Sequence, residues 1–406
     1  MRLLRTVSLF LVAAALGGPF GCRKVATGAA PVQPDLTLPD GTKLRRSDVL
    51  GAFGRCAAGL ARDFVSKAEA LEAAEAAWMA EPQSPEKRAA ARAAWNDAMV
   101  VWERAEVFVV GPAAALAQPG GQDLRSQIYP WPLSSRCLVE QGIVSRAWEQ
   151  PTFASGLVTT RTLVAGEYLT FYEGADNACG PNATINAQGT WAALGPAELA
   201  SRRAAYAHAV AVDVLARARA LDAAWDPARG NFVAELETAG QGSKTYKSQQ
   251  LAFNAMSDAL FQIELQVKEL KVGKPSGIVQ CMNATCPEAL ESPWAHRSKE
   301  HVRNNLVGVR MQLQGCDDGG KGIGWDDMLR GLGQIELADR MDAALAGCFA
   351  ALDAIPEADF SEALATNLPG MQKLFGAIKA LTEILKSDFV TVLDLELPKV
   401  VEGDND

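Results

Sequence analysis

SPEKRAAARAAWNDAMVVWERAEVFVVGP, residues 84–112, decides the fold class. Ser84 is a good N-cap, and Pro85 suits the first helical position because the amide it lacks would have no intrahelical partner there. The alanine-rich run that follows favours helix. Trp95 and Trp102 stand seven apart and share one face. The helix is expected to reach Val110 and stop at Gly111-Pro112. Glu103 and Glu106 lie three apart on it. A solvated face is the expectation for Glu106, while Glu103 could serve either a solvated face or a site.

The same pattern extends in both directions, with almost no strand alternation. Helices are expected from Ser47-Asp48 to about Ala80, from Thr152 to Tyr172, from Pro196 to Asp226 and from Tyr246 to about Lys271. Further helices should end near Gln314 and span roughly 325–353 and 360–394. Long helices joined by short loops in two batches predict an all-α protein of two packed helical bundles. The expected bundles are 44–235 and 236–396, with the boundary near 228–245, and 397–406 reads as a disordered tail.

MRLLRTVSLFLVAAALGGPFGC opens the chain with two arginines, an apolar run and small residues before Cys22. Residues 1–21 read as a signal peptide too short to anchor stably. The ending suggests a lipoprotein signal with acylation at Cys22, and cleavage by the general signal peptidase is the alternative. Acyl chains on Cys22 would hold the protein to a lipid bilayer, each buried CH2 adding roughly 0.8 kcal/mol. Residues 22–43, rich in Pro and Gly, read as a lipidated tether.

The full chain carries a formal charge of −9. Its signal holds basic and no acidic residues, so the mature part is more acidic still. That argues against nucleic acid and against docking on anionic lipid by charge. Beyond Cys22 there are seven cysteines, so an exported chain can form at most three bridges and keeps at least one thiol. Cys281 and Cys286 of CMNATC form the expected local bridge. Cys56, in an alanine-rich helical pattern, reads as a buried free thiol.

RTLVAGEYL, residues 161–169, places Glu167 in an apolar helical stretch. Burying a lone carboxylate costs several kcal/mol, on the order of that for any unpaired buried charge. A basic partner, a hydrogen-bond network or a metal should offset it. His296 and His301 in HRSKEH are five apart, about 140° around a helix, which is unlike the four-residue spacing of zinc peptidases. CDDGGKGIGWDD (316–327) lacks both the phosphate-loop ending and the EF-hand order of acids, and reads as a surface loop. His208 reads as a packed or partly exposed helical residue.

Five segments in order resemble the imelysin family of exported bacterial proteins, also described as insulin-cleaving membrane proteases or iron-regulated lipoproteins. They are AAWNDAMVVWERAEVFVVGP (93–112), IYPWPL (128–133), RTLVAGEYL, KVGKPSG (271–277) and ESPWAHRS (291–298) followed by RNNLVG (303–308). The family signature G-x-H-x-x-E falls on Thr162, Val164 and Glu167, so only the glutamate is kept. The resemblance implies that the Glu103, Glu167 and His296 regions meet between the two helical halves. It implies iron or another divalent metal on those three residues, with Trp131, Tyr168 and Ser292 supporting. The leading expectation is a non-catalytic, exported metal- or ligand-binding lipoprotein, periplasmic or on the outer membrane, working with iron-uptake envelope proteins. A metallopeptidase and a degenerate scaffold for other envelope proteins are the competing expectations.

Overall fold

Each long helix is marked by its own local chemistry. In α2 (Pro85–Ala105) the Ser84 hydroxyl accepts from the Lys87 amide at 3.2 Å, and Ala91, Trp95, Ala98, Met99 and Trp102 form one buried stripe. The chain is described here by a computed structural model over residues 35–316 and 322–398. The other principal helices are α1 (Arg46–Ala80), α3 (Leu163–Phe171), α4 (Pro196–Trp225), α5 (Gln249–Leu260), α6 (Ser298–Gln314), α7 (Ile335–Asp353) and α8 (Leu368–Ile384). A π-helical segment, Ile263–Gly273, continues from α5. A two-residue hairpin pairs Leu36–Thr37 with Lys43–Leu44. The fold is all-α, with helices packed as bundles.

Helix α1 packs along α2 and α4, and α3 lies between α2 and α4. In the second half α8 packs on α7 and on the π-helical segment. Helix α6 joins the two sets by lying against α2. Gly308 permits this, because a Cβ there would meet the Arg104 carbonyl oxygen at 2.5 Å. That close approach sets α6 side chains directly over Glu103. The helix α2 tryptophan Trp95 donates from Nε1 to the Leu163 carbonyl at 3.1 Å, fixing α3 beside it.

Several local expectations are corrected. The helix expected over 152–172 is two 3-10 turns (Phe153–Ser155 and Val158–Thr160) before α3, so only Leu163–Phe171 of it is α-helical. The α2 helix ends at Ala105 rather than Val110. Residues 36–43, expected as the end of a tether, form the hairpin with Leu44, and Leu36 and Leu44 are buried. Cys56 is bonded to Cys316, and the buried free thiol among the described residues is Cys348. Cys281 pairs with Cys286 as expected, and Cys137 with Cys179. Residues 1–34 and 399–406, and with them Cys22 and the expected signal peptide, lie outside the described residues. So do residues 317–321 of the aspartate-rich loop. Among the described residues no helix is long and apolar enough to cross a membrane.

Candidate metal centre

Glu167 sits on α3 and is 2 % exposed. Among the described residues no cation pairs with it. Its Oε1 accepts from Ser292 Oγ (3.1 Å), the Trp294 amide (3.0 Å) and the Ala295 amide (2.9 Å). Burial pushes its carboxyl up to about 7 against the pull of those donors. The loop it holds is strained, since Ser292 and His296 both adopt left-handed φ, +55° and +54°. Such positions cost about 1–3 kcal/mol each outside glycine, and the three hydrogen bonds offset part of that.

Glu167, Val164, Trp131 and Ser292 line one cleft of about 470 Å³. Of the residues named from the sequence, Glu167 and two supporting residues, Trp131 and Ser292, therefore meet at one place. Tyr168 lies just behind, donating to Glu140 Oε1 at 2.7 Å and packing against the Trp294 ring at 5.2 Å. His296 stands apart: it is exposed, with Nδ1 3.4 Å from Ser361 Oγ. Glu103 also lies elsewhere, so the expected trio of Glu103, Glu167 and His296 is not one constellation.

Glu103 belongs to a second, deeper cluster. Glu103, Glu291 and His301 are each at most 1 % exposed, and their ligand atoms lie within 4.8 Å of one another. They come from α2, from the loop held by Glu167, and from α6. His301 Nδ1 is 3.3 Å from Glu103 Oε1 and 3.3 Å from Glu291 Oε2. All three of these atoms lack a hydrogen-bond partner. Metal bonds of roughly 2.0–2.2 Å place neighbouring donors about 2.8–3.6 Å apart in octahedral or tetrahedral shells. The spacing and the carboxylate–imidazole set therefore fit a divalent cation.

The opposite oxygens of the acids are already engaged. Lys271 Nζ lies 2.5 Å from Glu103 Oε2, 2.5 Å from Glu106 Oε1 and 3.0 Å from Glu291 Oε1. Asn305 donates to Glu103 Oε2 at 2.9 Å and to Glu106 Oε1 at 3.0 Å. Arg125 reaches Glu106 Oε2 at 3.2 Å. Glu106, expected on a solvated face, is 3 % exposed. Burial works to raise its carboxyl, but Lys271 and Arg125 prevail and hold it at about 2. Glu103 is pushed well above the carboxylate range, first by burial and then by Glu106 and Glu291, despite Lys271. Its Oε1 makes no hydrogen bond and lies 3.3 Å from His301 Nδ1.

Sequence reasoning missed Glu291, His301, Lys271 and Asn305. A signal existed: His301, Asn304, Asn305 and Gln312 make a polar stripe at helical spacing, and all four are buried. The zinc-peptidase test discarded His301 because it was paired with His296 rather than with residues from other elements. Arg161, near Glu167 in sequence, faces away and binds Asp213 at 2.6 Å.

The imelysin family profile matches residues 58–387. Two solved structures are similar in fold. A candidate iron-regulated protein A precursor from Parabacteroides distasonis ATCC 8503 superposes with a TM-score of 0.66 at 18 % identity, over 86 % of this chain and 94 % of that one. An imelysin-like protein from Psychrobacter arcticum 273-4 gives 0.62 at 15 % identity, over 87 % and 98 %. No curated protein matches the chain in sequence.

Proposed function

We propose, from the premise that the chain belongs to the imelysin family, that it is an exported, non-catalytic protein that binds a metal ion through Glu103, Glu291 and His301. One observation carries this. Three buried donors from three separate elements converge with no hydrogen-bond partner. An ion-pair cluster built only for architecture would satisfy its own atoms, because an unsatisfied buried polar group costs about 1–3 kcal/mol. Lys271 holds Glu103 Oε2 and Glu291 Oε1, so the other oxygen of each acid faces His301 Nδ1. Glu167 acts on this site through the loop that carries Glu291, as a latch rather than a ligand.

Burial of the donors supports binding over hydrolysis. A metallopeptidase keeps a coordination position open to water and substrate. None of the three donors lines the neighbouring cleft, though Leu290 and Ser292 on either side of Glu291 do. That cleft is the natural route by which an ion would reach the centre. A similar fold in a candidate iron-regulated protein supports iron as the ion, and envelope iron-uptake proteins as partners. Placement in the periplasm or on the outer membrane, with an acyl anchor at Cys22, rests on the signal-like amino terminus.

The test is metal content after exhaustive dialysis, measured by mass spectrometry on the mature chain without lipid. Wild type should hold one ion per chain and His301→Ala should lose it. Glu167→Ala should keep the ion with weaker affinity. A wild type without metal, or a fully loaded His301→Ala, would overturn the reading.

A further inference from the structure

Asn254 and Asp258 stand one turn apart on α5 and share a face. The Glu396 amide donates to Asn254 Oδ1 at 3.3 Å, and Gln250 Nε2 donates to the Asp394 carbonyl at 2.6 Å. Those bonds hold the carboxy-terminal segment along α5. Between them and the chain that follows α2 lies a second cleft, of about 550 Å³. It shares no residue with the cleft beside Glu167. Val109, Val110, Leu265 and Leu397 give it apolar walls, and its charged residues are Asp258 and Glu396.

Among the described residues neither acid has a cationic partner, and no lysine, arginine or histidine lines the cleft. Burial and then Glu396 push the Asp258 carboxyl up to about 6, the direction expected of an acid that no cation offsets. Two buried polar groups in the same cleft also go unmet. Asn254 is 8 % exposed, and both of its side-chain hydrogen bonds end on Oδ1, so Nδ2 has no partner among the described residues. Tyr246 is 1 % exposed, and its hydroxyl has no partner either. Both residues line the cleft. Buried polar groups are nearly always paired in native structures, so two unmet ones beside two unpaired acids mark a place where a ligand supplies the partners.

We propose that this cleft binds a small organic cation: a protonated amine on an apolar chain that also carries an acceptor oxygen. The ammonium group lies with Asp258 and Glu396 and donates to the Tyr246 hydroxyl. The chain packs on Val109, Val110, Leu265 and Leu397, and the oxygen accepts from Asn254 Nδ2. The volume is in the range of small-molecule sites, which combine apolar walls with a few placed polar groups. A bare metal ion is the poorer fit, because it calls for several oxygens close around it rather than apolar walls. The site is independent of the Glu103–Glu291–His301 centre, with which it shares no residue.

The experiment titrates the mature chain with N-acetyl-lysinamide, and separately with N-acetyl-norleucinamide, by isothermal titration calorimetry at low salt. The norleucine compound keeps the chain and the oxygens and lacks the ammonium. At about pH 8 both acids are ionised. Wild type should bind the lysine compound at least about tenfold more tightly than the norleucine compound. Asp258→Asn and Glu396→Gln each remove one charge and keep the side-chain shape. Each should cut that preference severalfold and leave the norleucine compound as it was. Glu396 is exposed, so Glu396→Gln reads the charge even where Asp258→Asn fails to fold. No binding of either compound at millimolar concentration, equal affinity for the two, or a preference unchanged in the folded variants would overturn the proposal.

Discussion

Replacing Glu167 separates two effects that the wild-type residue combines. Its carboxylate receives three hydrogen bonds yet is buried without a cation, and its carboxyl stands at about 7 against an ordinary 4.5. Because the folded value is the higher, its contribution to stability is fully present below pH 4.5. That contribution is lost as pH rises through about 7. At about 1.4 kcal/mol per pH unit the gap amounts to roughly 3 kcal/mol. Glu167→Gln keeps an acceptor oxygen and cannot ionise. Relative to wild type it should therefore gain about 3 kcal/mol between pH 4.5 and pH 8.

Glu167→Ala removes the acceptor as well. The Trp294 and Ala295 amides and the Ser292 hydroxyl then lose their partner, at a cost of about 1–3 kcal/mol per buried group. Both amides are only part-buried, so a total near the low end, about 2–4 kcal/mol, is expected at pH 5. At pH 8 the relief of the carboxylate offsets most of that loss. The assay is equilibrium urea unfolding followed by tryptophan fluorescence, with chelator present and disulfides intact, at a series of pH values. A Glu167→Gln difference that stays flat from pH 4.5 to 8 would refute the reasoning, because the carboxylate would then ionise as if in water.

Two further outcomes follow from the packing around the centre. Lys271→Met strips the common cation from Glu103, Glu106 and Glu291. Breaking such a buried group should cost about 3–5 kcal/mol at neutral pH, and a loss under about 1 kcal/mol in urea unfolding would contradict the central place given to Lys271. Gly308→Ala pushes a methyl toward the Arg104 carbonyl and should cost about 1–3 kcal/mol through separation of α6 from α2. The same shift should weaken metal retention, because His301 rides on α6 and Glu103 on α2; unchanged stability and retention would mean that the two helices are not held by this contact.

The helical content was legible because it is written locally. Ser84-Pro85 starts α2, the Trp95/Trp102 spacing gives its buried face, and both appear as read. Local rules failed where tertiary contacts set the conformation. Residues 153–160 contain Gly156 and the β-branched Val158, Thr159 and Thr160, and they turn as 3-10 segments rather than extend α3. The partner of Cys56 lies 260 residues away in sequence, so no spacing rule could find it.

The site was half legible for the same reason. Glu167, Trp131 and Ser292 were chosen by resemblance, and they do line one cleft. The expected metal ligands, Glu103, Glu167 and His296, come from three separate elements that the fold does not bring together, and the expected histidine position on the Glu167 helix is Val164. Val164 lines the cleft instead, leaving Glu167 free to hold the strained loop over Ser292–Ala295. Holding that loop fixes Glu291, and Gly308 lets α6 bring His301 against it. Convergence of residues 103, 291 and 301 is a property of how α2, the loop and α6 pack, and packing of that range is invisible to periodicity. What the sequence did offer was cost: a carboxylate buried in an apolar stretch has to be compensated, and at Glu167 the compensation is three hydrogen bonds.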